Sequence, residues 1–257
     1  MRQAMKTLHM ISLCILGWLS LLTACAKPTL PPPPPQEVIA KAGERMQSLA
    51  SFHFVIERSG APAYLDPGNT LVLSRMEGDY QTPDRAQGQV RVIGPGIVAS
   101  VRFINIGVQY WETNLLSGEW AECPAAQCFN PALLFDTQAG LPAILQQDLS
   151  ALAAVESAEL EEMPGKRLYH LRGELQGARL AELSWGMIGP ESMAAQLWVD
   201  PETFDLYRVQ LEEPTNAPDA PTPAAGDPTA ATLWKVDFLQ FNQPLEILPP
   251  ASATPTP

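Results

Sequence analysis

Apolar residues recur at helical spacing from Glu37 to Leu49, at Val38, Ala42, Met46 and Leu49, with Lys41, Glu44, Arg45 and Gln47 between them. That pattern predicts an amphipathic helix. The period then drops to two. From Ser51 to Ser59, Phe52, Phe54 and Ile56 fall on one side and His53 and Glu57 on the other, which predicts a half-buried strand with His53 on its solvent face. Further strands are expected over 70–76, 89–93, 97–106 and 108–112. Breaks are expected at Glu77-Gly78-Asp79, Gly94-Pro95-Gly96 and Gly107, where glycine can take turn backbone. Five strands in succession with mostly short connections predict an antiparallel meander.

The middle of the chain changes character. Residues 130–136 and 140–149 read as short, very apolar helices carrying Leu133, Leu134, Phe135, Leu141, Ile144, Leu145 and Leu149. Asn130 is placed to cap the first, with Pro131 at its first helical position. Strands return over 154–162, 166–174, 193–200 and 204–212, with a helix expected over 178–185. Pro164-Gly165 and Asp200-Pro201-Glu202-Thr203 are expected hairpin turns. A last strand is predicted over 233–241, with Trp234, Val236 and Phe238 on one face. Residues 214–232 are rich in Pro, Ala, Thr and Asp, without a large apolar side chain. They read as a disordered loop, and residues 250–257 as a disordered tail.

The start of the chain is not part of this domain. Arg2 and Lys6 precede an apolar run from Met10 to Leu22. The run is shorter than the roughly 20 residues of a membrane span, and basic start, short apolar core and small residues together describe a secretory leader. Leu22-Thr23-Ala24-Cys25 resembles the bacterial lipobox. The resemblance implies that residues 1–24 are a signal peptide and that Cys25 carries a diacylglycerol. Acyl chains contribute about 0.8 kcal/mol per buried CH₂, so two or more anchor a protein stably. Residues 25–36, with five consecutive prolines, then read as an extended tether. Residues 37–249 form the domain. The expected location is the extracytoplasmic face of a cell membrane.

Composition narrows the function. Of 257 residues, 46% are hydrophobic and 17% charged, enough apolar material for a core. The net charge is −12, and loss of Arg2 and Lys6 with the leader makes the remainder more acidic still. Such a chain is repelled by nucleic acid phosphates and anionic headgroups, so nucleic-acid binding is excluded as a main role and membrane attachment falls to the anchor. Cys14 leaves with the leader. Cys123 and Cys128 remain, in Cys-Pro-Ala-Ala-Gln-Cys. In an oxidising compartment they are expected to pair as a structural disulfide. Four intervening residues do not fit the usual redox motif, and only His53 and His170 remain as histidines to complete a zinc site.

Candidate chemistry is sparse. There is no Gly-x-Ser-x-Gly elbow, and no metal site or cofactor is expected. The acidic runs at Glu156, Glu159, Glu161 and Glu162 and at Glu212-Glu213 read as solvated faces. Tyr169-His170 lies on an alternating strand and is not read as catalytic. The many apolar strand positions, set against few and short helices, leave two readings open: a sheet concavity that is an incompletely filled apolar pocket, or a fully packed core.

Several stretches taken in order resemble the LppX/LprAFG family of lipoproteins. They are Met163-Pro164-Gly165-Lys166-Arg167-Leu168-Tyr169-His170-Leu171-Arg172-Gly173, Leu197-Trp198-Val199-Asp200-Pro201-Glu202-Thr203, the Gly118-Glu119-Trp120 turn and the apolar segment from Pro131 to Leu145. The resemblance covers Gln36 to Pro249. It implies an α+β fold shared with the periplasmic lipoprotein carriers: a strongly curved antiparallel sheet, a half-barrel, wrapped around a few short helices, with an apolar cavity between them. The cavity it implies holds the acyl chains of a lipid or glycolipid, and with the sparse chemistry the expectation is a non-enzymatic, passive carrier. The expected lining residues are Phe52, Phe54, Ile56, Val101, Phe103, Leu134, Leu145, Trp234 and Phe238, with the apolar helices as a lid. The 214–232 loop and the Cys123–Cys128 pair depart from the family pattern. Two other classes are weighed beside the carrier: an envelope interaction or assembly lipoprotein with a packed core, and a hydrolase of envelope material.

Overall fold

Strand β1 (Ser51–Ser59) shows why the sheet has two unlike faces. Its even positions are buried at Phe52, Phe54 and Ile56, while His53 and Glu57 are only half-buried. Successive side chains point to opposite faces of a strand, so the sequence period of two becomes an apolar face and a polar face. In this computed structural model the described residues are 32–65, 68–124, 129–153, 155–160, 163–214 and 231–251. The leader, Cys25, most of the tether, Cys128, residues 215–230 and residues 252–257 lie outside them. The chain divides into two compact units, Met1–Pro32 and Pro33–Pro257, and all elements named below belong to the second.

Twelve strands are present among the described residues. After β1 come β2 (Val72–Gln81), β3 (Arg85–Gly94), β4 (Ile97–Ile106), β5 (Gln109–Thr113) and β6 (Trp120–Glu122). The second half supplies β7 (Leu149–Ser150), β8 (Glu156–Glu159), β9 (Arg167–Gln176), β10 (Ser192–Val199), β11 (Leu206–Glu212) and β12 (Leu233–Leu239). They join one sheet in the order β6-β5-β4-β3-β2-β1-β12-β11-β10-β9-β7, with β8 also paired to β9. Every ladder is antiparallel. The meander expected over residues 51–112 is therefore present. The last strand closes the two halves by pairing with β1 on one side and β11 on the other. The sheet is curved and open, not a closed barrel.

Strand β2 does not end at Gly78. It continues to Gln81, and Gly78 pairs with Phe54 on one side and Gly88 on the other. A turn glycine and a strand glycine look alike in sequence. Here the absent side chain serves close backbone approach.

The concave face is covered by helices α1 (Pro35–Ser48), α2 (Leu141–Gln147) and α3 (Ala178–Leu183), and by a 3₁₀ turn over Pro131–Phe135. Helix α1 has a proline at its first position, Glu37 in its first turn and Arg45 in its last, which suits the helix dipole. It buries Val38, Ile39, Ala42, Gly43 and Met46. Arg45 donates to Asp205 Oδ1 at 2.7 Å, tying the helix to the β10–β11 turn. Asn130 Oδ1 accepts from the Ala132 N–H at 2.9 Å and caps the 3₁₀ turn. That turn drives Phe135 into an aromatic cluster with Phe52, Phe54, Tyr80 and Phe238, at ring separations of 4.7–6.0 Å.

The convex face is polar and ordered. Glu57 accepts from Lys235 at 2.5 Å and from Arg75, and Arg208 pairs with Asp237. The Lys235 bond and the two nearby cations outweigh burial and hold the Glu57 carboxyl below its ordinary range. At the far end a second small cluster of Leu160, Leu168 and Trp198 forms under strand β8.

Candidate functional site: an apolar cavity under the helical lid

Between the concave face and the lid lies a cavity lined almost wholly by apolar side chains. Sheet residues Ile56, Met76, Val209, Leu211, Trp234 and Val236 form its floor. Phe129, Leu134, Phe135 and Leu141 cover it from one side, and Leu180, Ser184, Met187 and Ile188 from the other. The register explains the floor. Ile56 pairs with Val236, Val236 with Val209, and Trp234 with Leu211, so one inward row crosses three strands. The free space is about 60 Å³, well below the roughly 300–1,000 Å³ of pockets that hold drug-sized ligands. In this conformation the lid lies close against the sheet.

Of the nine residues expected to line a cavity, Ile56, Leu134 and Trp234 do so. Phe54 and Phe238 stand one inward position further along the same strands and Phe52 two, all in the aromatic cluster that closes that end. Phe103 is buried on β4, three strands away from β1. Val101 is half-buried and pairs with Val90. Leu145 is buried on α2 within the same core. Sequence periodicity marked inward positions, but not which of them meet free space. Met187 and Ile188 carried no periodic signal, because they follow α3 in an irregular turn.

Next to the apolar lining, beyond Ile56 and Trp234, lie polar groups. The inward alternation of β1 continues past Ile56 to Arg58, which pairs directly with Trp234. The Arg58 guanidinium lies over the Trp234 ring, 5.0 Å from its centroid. Burial lowers the pKa of Arg58, and the charge of Glu213 opposes that shift. Glu213 was expected on a solvated face. Instead it accepts from Trp234 Nε1 at 2.6 Å and from the Gly189 N–H at 3.0 Å. One carboxylate thus joins the floor of the cavity to the end of its lid. Ser184 Oγ accepts from the Ile188 N–H at 3.1 Å and shapes the same segment.

The remaining candidate groups lie elsewhere. His53 Nδ1 is 2.8 Å from Asp79 Oδ1 on the convex face. His170 is buried there too, stacked on Trp198 with ring centroids 4.4 Å apart. Its Nε2 lies 3.0 Å from Gln196 Oε1. Cys123 is half-buried and packs against the main core. No group of three or more His, Cys, Asp or Glu that could hold a metal occurs among the described residues. No helix among them is long and apolar enough to cross a membrane.

Comparison with known proteins fits this architecture. No curated protein matches the chain. Among solved structures, LprF from Mycobacterium bovis superposes with a TM-score of 0.62 at 15% identity, covering 84% of this chain and 97% of that one. Lipoprotein LppX from Mycobacterium tuberculosis does so at 0.55 and 15%, covering 82% and 97%. At such identity these show a shared fold. The sequence model described as LppX_LprAFG lipoprotein matches residues 34–237, most of the chain. The polypeptide belongs to the LppX_LprAFG lipoprotein family.

Proposed function

We propose that this protein is an extracytoplasmic lipoprotein, anchored through Cys25, that binds and passively carries an acyl lipid or glycolipid between its sheet and its lid. The observation that carries the reading is the apolar lining, supplied by facing elements around free space. Burial of apolar surface at about 25 cal/mol per Å² would draw acyl chains out of water. Because the space is about 60 Å³, loading requires the lid to move outward. The lid is built of separate helices and a 3₁₀ turn joined by irregular chain, which suits that motion. The leader over residues 1–24, cleavage before Cys25 and a Cys123–Cys128 disulfide belong to the same proposal and suit an oxidising compartment. The reading is non-enzymatic.

A second reading has one observation in its favour. The small free volume also fits a packed-core lipoprotein that serves envelope assembly by surface contact. Native mass spectrometry of the protein purified from cells separates the two. A co-purifying acyl lipid near one per chain is expected for the carrier. An apo mass that stays unchanged after incubation with envelope lipids would replace it with the packed-core reading.

A further inference from the structure

The inward row of β1 runs Phe52, Phe54, Ile56, Arg58. The first two are in the aromatic cluster, the third lines the cavity, and the fourth is a cation on the same face. Positions two apart on a strand are about 7 Å apart, so the charge stands one side chain beyond the apolar lining. Among the described residues Arg58 Nε is buried without a hydrogen-bond partner. Its Nη2, among the described residues, donates to Thr232 Oγ1 at 3.5 Å. Glu213, the acid whose field acts on Arg58, has both oxygens engaged by neutral donors, Trp234 Nε1 and the Gly189 N–H. A guanidinium has five donors in a fixed fork, and here the buried Nε donor lacks an acceptor while the half-buried head can still take one. An inward-facing cation is also the exception in a chain of net charge −12.

We infer that the cavity selects an acyl lipid whose head carries an anionic phosphate, held by the Arg58 guanidinium, with its chain directed toward Phe135. This rests on the carrier reading and adds the class of head group to it. The planar fork of arginine matches two phosphate oxygens at once. The Trp234 ring beneath the guanidinium holds it in place by cation–π attraction. A neutral lipid of the same chains would gain the apolar burial but offer the guanidinium no anionic oxygens.

The test compares phosphatidylglycerol with diacylglycerol of identical chains, each dispersed in the same nonionic detergent. Binding to the full chain is read by native mass spectrometry. Phosphatidylglycerol is expected to bind about tenfold more tightly or better, the scale of a charge-assisted hydrogen bond. The net negative charge of the chain works against such a preference, so non-specific attraction cannot produce it. Arg58→Gln is expected to bring the two lipids within about twofold, with a cooperative denaturation transition as the control for folding, and Arg58→Lys to keep part of the preference. Equal binding of both lipids by the unaltered protein, or a preference that survives in Arg58→Gln, overturns the head-group assignment and leaves the carrier standing. Binding of neither lipid overturns both. Displacement of phosphatidylglycerol by an equal concentration of glycerol phosphate would show a site for the free anion and overturn the lipid as occupant.

Discussion

Gly78 and Gly88 face each other across β2 and β3 so closely that neither position admits a side chain. A Cβ on Gly78 would lie 2.1 Å from the Gln87 carbonyl oxygen, and one on Gly88 would lie 2.2 Å from that of Glu77. They are the centre of a row that runs Phe54, Gly78, Gly88, Phe103 over four strands. Glycines inside strands mark tight bends and close backbone approach, and this row is where the first half of the sheet is free to curve around Phe135. Gly78→Ala or Gly88→Ala is expected to cost about 1–3 kcal/mol, as overpacking does. A lowered denaturant midpoint with an unchanged slope checks it.

Phe135 is the hub that the curved sheet surrounds. It touches Phe52, Phe54, Tyr80 and Phe238 and is nearly inaccessible to water. Phe135→Ala should destabilise the protein by about 3–5 kcal/mol, the range for large aromatic truncations in cores. Leu134, its neighbour, is half-buried and lines the cavity. Leu134→Asp is expected to abolish lipid binding while shifting stability far less. Chemical denaturation and lipid stoichiometry, measured on both variants, check the contrast.

Glu213 fastens the lid. Its bonds to Trp234 Nε1 and the Gly189 N–H link β12 to the segment that carries Met187 and Ile188 over the cavity. Glu213→Ala removes both acceptors and leaves the indole N–H unmet, at a cost of about 1–3 kcal/mol. Hydrogen exchange at the Gly189 amide is expected to speed up, and exchange of bound lipid with it. Unchanged exchange at Gly189 would mean that other contacts hold the lid.

His170 supplies a pH dependence just below neutrality. Burial against Trp198 pushes its imidazole below the ordinary 6.5, while the Gln196 bond pulls upward and Arg172 adds to the lowering. The unfolded chain therefore binds the proton at higher pH than the folded one. Stability is expected to be full above about pH 6.5 and to decline as pH falls from there through the folded value. His170→Gln should flatten that part of the stability profile. An NMR titration of the His170 ring with a midpoint below 6.5 checks the sign.

Much of the fold was legible in local pattern. The period-two runs located β1, β4 and β12 with little error, because a strand with one buried face writes its geometry into hydrophobic alternation. Asn130 and Pro131 marked the start of a short helix over 130–136, which the chain forms as a 3₁₀ turn over Pro131–Phe135. Boundaries next to glycine were less legible: Gly78 reads as a stop, yet its strand partner needs it as a gap.

Local sequence also determined the two faces of the sheet, the apolar character of the lid, the acidic charge and the family, since each depends on residue type and spacing within short windows. Tertiary structure decided which inward residues border free space and which are packed. Ile56 and Phe54 have the same facing on the same strand, and only the position of Phe135 across the sheet separates lining from core. It also decided the role of Arg58 and Glu213. In sequence they are a charge at a strand end and half of an acidic pair. Pairing of β1 with β12 sets the guanidinium on Trp234, and the fold of the chain beyond α3 sets Gly189 against the carboxylate. Contacts between residues 24 to more than 170 positions apart depend on the register of distant strands, and no local window carries that information.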